Sequence, residues 1–286
     1  MSTVDHTPPV DEFLVDSAVA WAKEAGELTL EHFRSPDLQI SHKKDGSPVT
    51  LADQAAEDLI RTRIANNFPQ DSIVGEEREP RVGTSGRTWV IDPIDGTKAF
   101  SRGVGTYSNL IYVQDEHGPA LGVINLPALG ECIWGVRGEG CFFNGAPTAA
   151  LSSSGRAPIS PAERKPQSLE GQLLCVSSLS MWTPELFERS LNAGVQLRTW
   201  GDAYGYALVA TGRANAMFDP ELAWWDLAAV MVVIQESGGT ITRIDGNPEV
   251  DSPSQDGPYG FSAIASDGST HQDWVDLVAP DSVRRN

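Results

Sequence analysis

The chain is short of cysteine, of positive charge and of long apolar runs. Its three cysteines, Cys132, Cys141 and Cys175, follow no metal or redox spacing. So small and odd a number points to a reducing compartment and to small core residues rather than bridges. No run of about 18 apolar residues occurs, so no helix is expected to span a membrane. Met1 to Val10 lack a charged start followed by an apolar core, so no secretory signal is read there and a cytoplasmic location is expected. Lys and Arg number 21 against 39 Asp and Glu, a net charge of −18. That balance excludes the basic surfaces that bind nucleic acid or anionic membrane. The five histidines, His6, His32, His42, His117 and His271, show no H-x-x-x-H spacing, which argues against zinc hydrolysis. There is no Arg-His-Gly for a phosphohistidine route and no Gly-Lys-Ser/Thr for a nucleotide-binding P-loop.

What is present is acidic and local. Trp89-Val90-Ile91 runs straight into Asp92-Pro93-Ile94-Asp95-Gly96-Thr97-Lys98. A strand should carry Asp92 to its end and stop at Pro93, which cannot donate to a ladder. Gly96 lets the backbone approach a ligand. Two carboxylates and free N–H groups would then surround one point, suiting a hard cation and a phosphate together. The plainer reading is an Asp-rich turn. Two further segments weigh against it. Ile73-Val74-Gly75-Glu76-Glu77 ends an apolar run in two acids, which alone reads as a solvated loop. Ala223-Trp224-Trp225-Asp226-Leu227-Ala228 sets an acid among large apolar groups, costly unless paired or bound to metal. Asp226 also reads as a helix cap, which does not exclude ligation. Thr50-Leu51-Ala52-Asp53 has capping-box spacing. A bound divalent cation would reverse the local field, so an acidic chain can still take a phosphate.

Five segments occur in order: Val49-Thr50-Leu51-Ala52-Asp53, Gly75-Glu76-Glu77, Asp92-Pro93-Ile94-Asp95-Gly96-Thr97, Gly138 to Gly145, and Trp225-Asp226. Together they resemble the inositol monophosphatase superfamily of Mg²⁺-dependent, often Li⁺-sensitive phosphatases, over residues 12 to 278. The stretches Lys44 to Thr50, Leu197-Arg198, Gly201-Asp202-Ala203-Tyr204-Gly205-Tyr206, Ala210-Thr211-Gly212 and Phe218-Asp219-Pro220-Glu221 look most like its histidinol-phosphatase branch.

The resemblance implies roles. Glu76 and Asp92, with the Ile94 carbonyl, would bind a first Mg²⁺, and Asp92, Asp95 and Asp226 a second. Glu76 would reach a third, weaker ion, and Mn²⁺ is an expected substitute. Asp53 and Thr97 would orient and deprotonate the attacking water, with Glu76 completing the catalytic set. Asp95, Gly96 and Thr97 would hold the phosphate end of the substrate. Arg198 is either a bidentate phosphate ligand or a surface charge. Asp219 either binds the alcohol part of the substrate or is a turn residue before Pro220. Lys43 and Lys44 read as phosphate-steering charges or as a solvated loop. The expected reaction is hydrolysis of L-histidinol phosphate in histidine biosynthesis. The alternatives are an inositol-1-monophosphatase, a fructose-bisphosphatase or an adenosine-bisphosphate phosphatase. A weakly catalytic, metal-binding scaffold is the non-enzyme reading. A homodimer acting on a small phosphate monoester is implied.

The 286 residues, 40% of them apolar, suffice for one large domain or two modest ones. Leu14, Ala18, Trp21, Ala25 and Leu28 predict a helix over 12–33, and Ala56, Leu59, Ile60 and Ile64 predict another to about Asn67. Strands are expected at 89–92, 108–114, 120–126, 131–136 and 141–143. Residues 152–167 read as an exposed linker. Beyond it, strands at 172–176, 214–218, 240–243 and 261–265 alternate with helices at 183–193, 202–212, 226–237 and 269–278. Asp281 to Asn286 are expected to be disordered. The fold class implied is an α/β layered sandwich with two mixed, largely antiparallel sheets and flanking helices. Residues 1–151 would form an N-terminal α+β subdomain carrying most metal ligands. Residues 168–286 would form a C-terminal α/β subdomain contributing Asp226 and the specificity residues.

Overall fold

The computed structural model describes residues 7–36, 40–42, 48–148, 168–251 and 260–279. The 152–167 segment, Lys43, Lys44 and Asp281 to Asn286 lie outside the described residues. A short hairpin joins β1 (Ile40–His42) to β2 (Pro48–Thr50). The main sheet has seven strands in sequential order: β3 (Ser72–Gly75), β4 (Thr88–Asp95), β5 (Ser108–Asp115), β6 (Gly118–Leu126), β7 (Glu131–Val136), β8 (Gly140–Phe143) and β9 (Ala146–Pro147). Only its β3–β4 pair is parallel. A five-stranded mixed sheet is built from β10 (Leu173–Val176), β11 (Gln196–Arg198), β12 (Ala216–Leu222), β13 (Thr240–Thr242) and β14 (Phe261–Ser266), in the order β11-β10-β12-β14-β13.

Strand parity sets the layers. Trp89, Ile91, Ile111 and Val113 face helices α1 (Glu12–His32) and α2 (Leu51–Asn67), with Trp21, Ile60 and Ile64 in the same core. Val90, Leu110, Tyr112 and Ile124 point the other way. They pack on α5 (Asp202–Ala210) and α6 (Trp224–Glu236), which follow the one-turn α3 (Thr97–Ser101) and α4 (Pro184–Asn192) in the chain. Cys175, Met217, Ala263 and Ala265 of the smaller sheet close on the same two helices. Its opposite face, with Leu174, Val176, Phe218 and Ile264, meets α4 and α7 (His271–Val278). Helices and sheets therefore alternate, and one core joins residues from both halves of the sequence. α6 is apolar nearly all round because it is covered by both sheets. It lies directly on the main sheet at Gly122, where a Cβ would stand 2.2 Å from the Ala229 carbonyl oxygen.

The expectation that the strand ends at Pro93 is corrected. β4 continues to Asp95, with Asp92 opposite Leu110 and Asp95 opposite Ser108. Three steps on one strand face two on the other, so β4 carries a bulge. The bulge leaves one residue unpaired and absorbs the missing N–H of Pro93. It also resets parity, so that Asp95 joins Asp92 on the inner face. β12 repeats the device: Asp219 faces Ala263 and Leu222 faces Phe261, with Pro220 in the irregular step. Asp219 is thus a strand residue, not a turn residue. The three cysteines are free and buried, and burial pushes each thiol up to about 12.

Candidate active site

Asp92 and Asp95 come from the bulged end of β4, Asp226 from the first turn of α6, and Asp219 from β12. With Glu76 at the end of β3, they line one cleft between the two sheets, together with Gly96, Thr97 and the backbone unit Ile94. Carboxylate oxygens of Asp92, Asp95 and Asp226 lie within 4.8 Å of one another.

Each acid has a local reason for its aim. The Asp92 carboxylate accepts the Ile94 N–H at 3.1 Å, which folds the chain around the bulge. Asp95 accepts from the Ser108 hydroxyl and from the Ala203 N–H, both at 2.8 Å. The second bond ties the start of α5 to the main sheet. Asp226 is not the residue before its helix, as a simple cap would be. It is the third helical residue and accepts the Ala223 N–H at 2.9 Å. Asp53 closes the capping box at the head of α2, accepting from the Thr50 N–H at 2.8 Å and the Thr50 hydroxyl at 2.5 Å. Its other oxygen lies 3.4 Å from the Thr97 hydroxyl, which also donates to the Ile94 carbonyl at 3.0 Å.

The electrostatics are strained in one direction. Burial raises the Asp92 carboxyl well above its ordinary range, and the charges of Glu76, Asp95 and Asp226 add to this. Burial does the same to Asp95, reinforced by Asp202 and Asp226 and opposed by its two hydrogen bonds. Asp226 is pushed up to about 7 and Asp219 to about 7, in both cases mainly by burial. Asp53 is pushed up to about 6 by burial, against the hydrogen bonds from Thr50. Buried acids that raise one another's pKa are costly unless a cation joins them. Their donors are all hard oxygens, which suits Mg²⁺ or Mn²⁺. The cluster therefore fits a divalent ion.

Asp219 is 2% exposed, and its Oδ2 has no hydrogen-bond partner. The buried Tyr206 hydroxyl beside it makes no hydrogen bond of good geometry either, although its contact with Asp219, together with hydrogen bonds from Ser177, favours the ionised carboxyl against burial. Arg198 is placed elsewhere. It is exposed on the edge strand β11, donates to the Leu197 carbonyl at 2.7 Å and covers the Trp200 ring at 5.7 Å. It is not in the cleft lining of its own chain.

Sequence reasoning assigned no role to Asp202, Ser177, Tyr206 or Lys98, all of which line the cleft. Asp202 opens α5 in a left-handed conformation, φ 54°, and its N–H donates to the Ser177 hydroxyl at 2.8 Å. The signal was the Gly201-Asp202 step before an apolar helix. The Asp202 carboxyl is raised by burial and partly relieved by the Lys98 charge.

The sequence profile of the Inositol monophosphatase family matches residues 11–275. A histidinol-phosphatase of Mycobacterium tuberculosis is 38% identical over 262 residues, 90% of this chain and 94% of that protein. One from Chlorobaculum parvum is 40% identical over 224 residues, 78% of this chain and 82% of that protein. The solved structure of a Thermotoga maritima IMPase superposes with a TM-score of 0.74 at 27% identity, covering 94% of this chain and 97% of that one.

Proposed function

Because this chain belongs to the inositol monophosphatase family, we propose that the phosphate monoester it hydrolyses is L-histidinol phosphate, a step of histidine biosynthesis. The observation that carries this reading is the buried, unpartnered Asp219 oxygen facing the cleft beside Asp202. A cationic alcohol would supply the missing partner as a charge-assisted hydrogen bond, whereas inositol would offer only a neutral hydroxyl. Side-by-side measurement of kcat/KM for L-histidinol phosphate and myo-inositol 1-phosphate tests it. A higher value for the inositol ester overturns it.

In this reading Glu76, Asp92, Asp95, Asp226 and the Ile94 carbonyl hold two or three Mg²⁺ ions, which Mn²⁺ can replace. When bound, the ions supply Lewis-acid polarisation of the phosphate and offset charge on the leaving oxygen. The backbone N–H groups of Gly96 and Thr97 donate to phosphate oxygens. α3 has only one turn, so these donors count for more than any helix dipole. Thr97 Oγ1 orients the attacking water, and Asp53 Oδ1 takes its proton. A carboxyl near 6 is basic enough for that task and still largely ionised at neutral pH. A homodimer is part of the same proposal.

Thr97→Ala is expected to lower kcat more than it raises KM, because loss of a water-positioning group weakens the transition state more than ground-state binding. Steady-state kinetics check this. A large rise in KM at unchanged kcat would assign Thr97 to binding alone.

The cluster also sets how metal-free stability responds to pH. The carboxyls of Asp219 and Asp226 are raised from 3.8 to about 7 in the folded chain. Protons that the unfolded chain has released are still held in the folded one, so this stability is full at low pH and lost as pH rises through 7. His271 has the opposite sign. It is wedged between the Thr242 and Ser266 hydroxyls, and burial lowers it from 6.5 to about 4. Its contribution is full above 6.5 and lost as pH falls toward 4. The Tm of the chelated protein is therefore expected to fall as pH rises from about 4 to about 7, against the smaller opposite contribution of His271, and Mg²⁺ to restore more at the upper end. A chelated Tm indifferent to both pH and Mg²⁺ would contradict the cluster's assignment.

A further inference from the structure

We infer that Glu57, a residue outside the cleft, is the positioning residue that aims Glu76 into the metal site, by gripping the chain on both sides of it. The inference rests on Glu76 belonging to the metal site proposed above.

Glu57 lies one helical turn after Asp53 on α2 and is 0% exposed. An acid so placed on the sheet-facing side of a helix is expensive to bury without compensation. Its carboxylate accepts the Glu77 N–H at 2.7 Å and the Arg61 Nε at 2.6 Å. Arg61 in turn donates to the Arg78 carbonyl at 3.1 Å. On the other side of Glu76, the carboxylate fills the space that a side chain at Gly75 would need. A Cβ there would stand 2.1 Å from Glu57 Oε1 and 2.5 Å from its Cδ. Glu76 thus sits between a residue that packs on Glu57 and a residue that hydrogen-bonds to it. Its own N–H reaches the Ile91 carbonyl at 3.3 Å, a long bond for a ligand that must hold its aim. The Glu57–Arg61 pair adds a restraint on both flanks of Glu76. Because Asp53 and Glu57 share one rigid helix, the same element sets the position of the proposed base and of Glu76.

If Glu57 served only to hold the fold, its replacement would lower Tm and leave ion affinity alone. A positioning role moves ion affinity itself, since outer partners that orient metal ligands shift it by about tenfold or more. The experiment is Mn²⁺ binding to the chelated and dialysed full chain, read as free Mn²⁺ by electron paramagnetic resonance, with no turnover involved. Glu57→Gln keeps the volume, removes the charge pairing with Arg61 and is expected to bind Mn²⁺ about tenfold more weakly. Glu76→Gln is expected to weaken binding at least as much. Arg61→Gln loosens the same grip from the more exposed side of the pair, whose side chain is 16% accessible, and gives the answer if Glu57→Gln does not fold. Wild-type Mn²⁺ affinity in the folded Glu57→Gln and Arg61→Gln variants, with affinity lost in Glu76→Gln, overturns the inference. Wild-type affinity in Glu76→Gln overturns it at its premise instead, because Glu76 would then not be a ligand.

Discussion

Asp92→Asn is expected to cut kcat at saturating Mg²⁺ by about a thousandfold, about 4 kcal/mol of barrier. The side chain is 2% exposed and central to the carboxylate cluster, so its charge bears on Asp95, Asp226 and Glu76 together. Asparagine keeps the shape and can still accept the Ile94 N–H, so the bulge in β4 should survive. What it removes is charge, and charge is what the metal-free fold holds at a cost. The same substitution is therefore expected to raise the Tm of the chelated protein while abolishing most turnover. Opposite signs for activity and stability are the mark of a functional acid held in an unfavourable place. A variant retaining more than about a tenth of wild-type kcat, about 1.4 kcal/mol of barrier, would remove Asp92 from the metal site. A fall in metal-free Tm would make it a structural acid.

Much of this was legible in the chain because it is local. The capping box of Thr50 and Asp53 is a three-residue spacing, and the structure forms it with both reciprocal contacts. The period of Leu14, Ala18, Trp21 and Ala25 gives α1 to within a residue at its end. The apolar run after Asp226 gives α6, although the helix starts two residues earlier, at Trp224.

What escaped the sequence was the consequence of long-range pairing. Asp92 and Asp95 are three apart, which in an unbroken strand would send them to opposite faces. Only pairing with Leu110 and Ser108 reveals the bulge that brings them together. A turn at Asp219-Pro220 stayed open beside the substrate-binding reading for the same reason, since its register against Ala263 and Phe261 is set some forty residues away. β11 was missed altogether: its three residues pair only with β10 at the sheet edge, and nothing periodic marks them. Asp202 escaped because its direction depends on a left-handed backbone and on Ser177, a residue from another strand end. In both Asp-Pro steps, then, a proline that argued against a strand marks the irregularity that turns an acid into the cleft.

Asp219→Asn is expected to lower kcat/KM for L-histidinol phosphate by about a hundredfold, about 2.7 kcal/mol, and to change that for a generic aryl phosphate by less than about threefold. Asp219 stands 2% exposed, with one oxygen unpartnered and the carboxyl raised to about 7. In the free protein that oxygen is a standing cost. An ammonium or imidazolium group of the substrate removes it by supplying a charge-assisted hydrogen bond at this buried oxygen. The Asp202 charge beside it and the net charge of −18 favour the same cationic alcohol. An aryl phosphate offers no such group, so it loses nothing when the acid becomes an amide. Inositol offers hydroxyls, which can pair with Asn as well as with Asp. The ratio of the two ester substrates should therefore move toward the inositol ester in the variant, although the chemistry proposed at Asp92, Thr97 and Asp53 is untouched. Equal losses on histidinol phosphate and aryl phosphate would make Asp219 a support for the cleft rather than a reader of the substrate. If the wild type already prefers the inositol ester, the cation has no place at Asp219. Its unpartnered oxygen would then accept a hydrogen bond from a hydroxyl, and the phosphatase chemistry would stand without change.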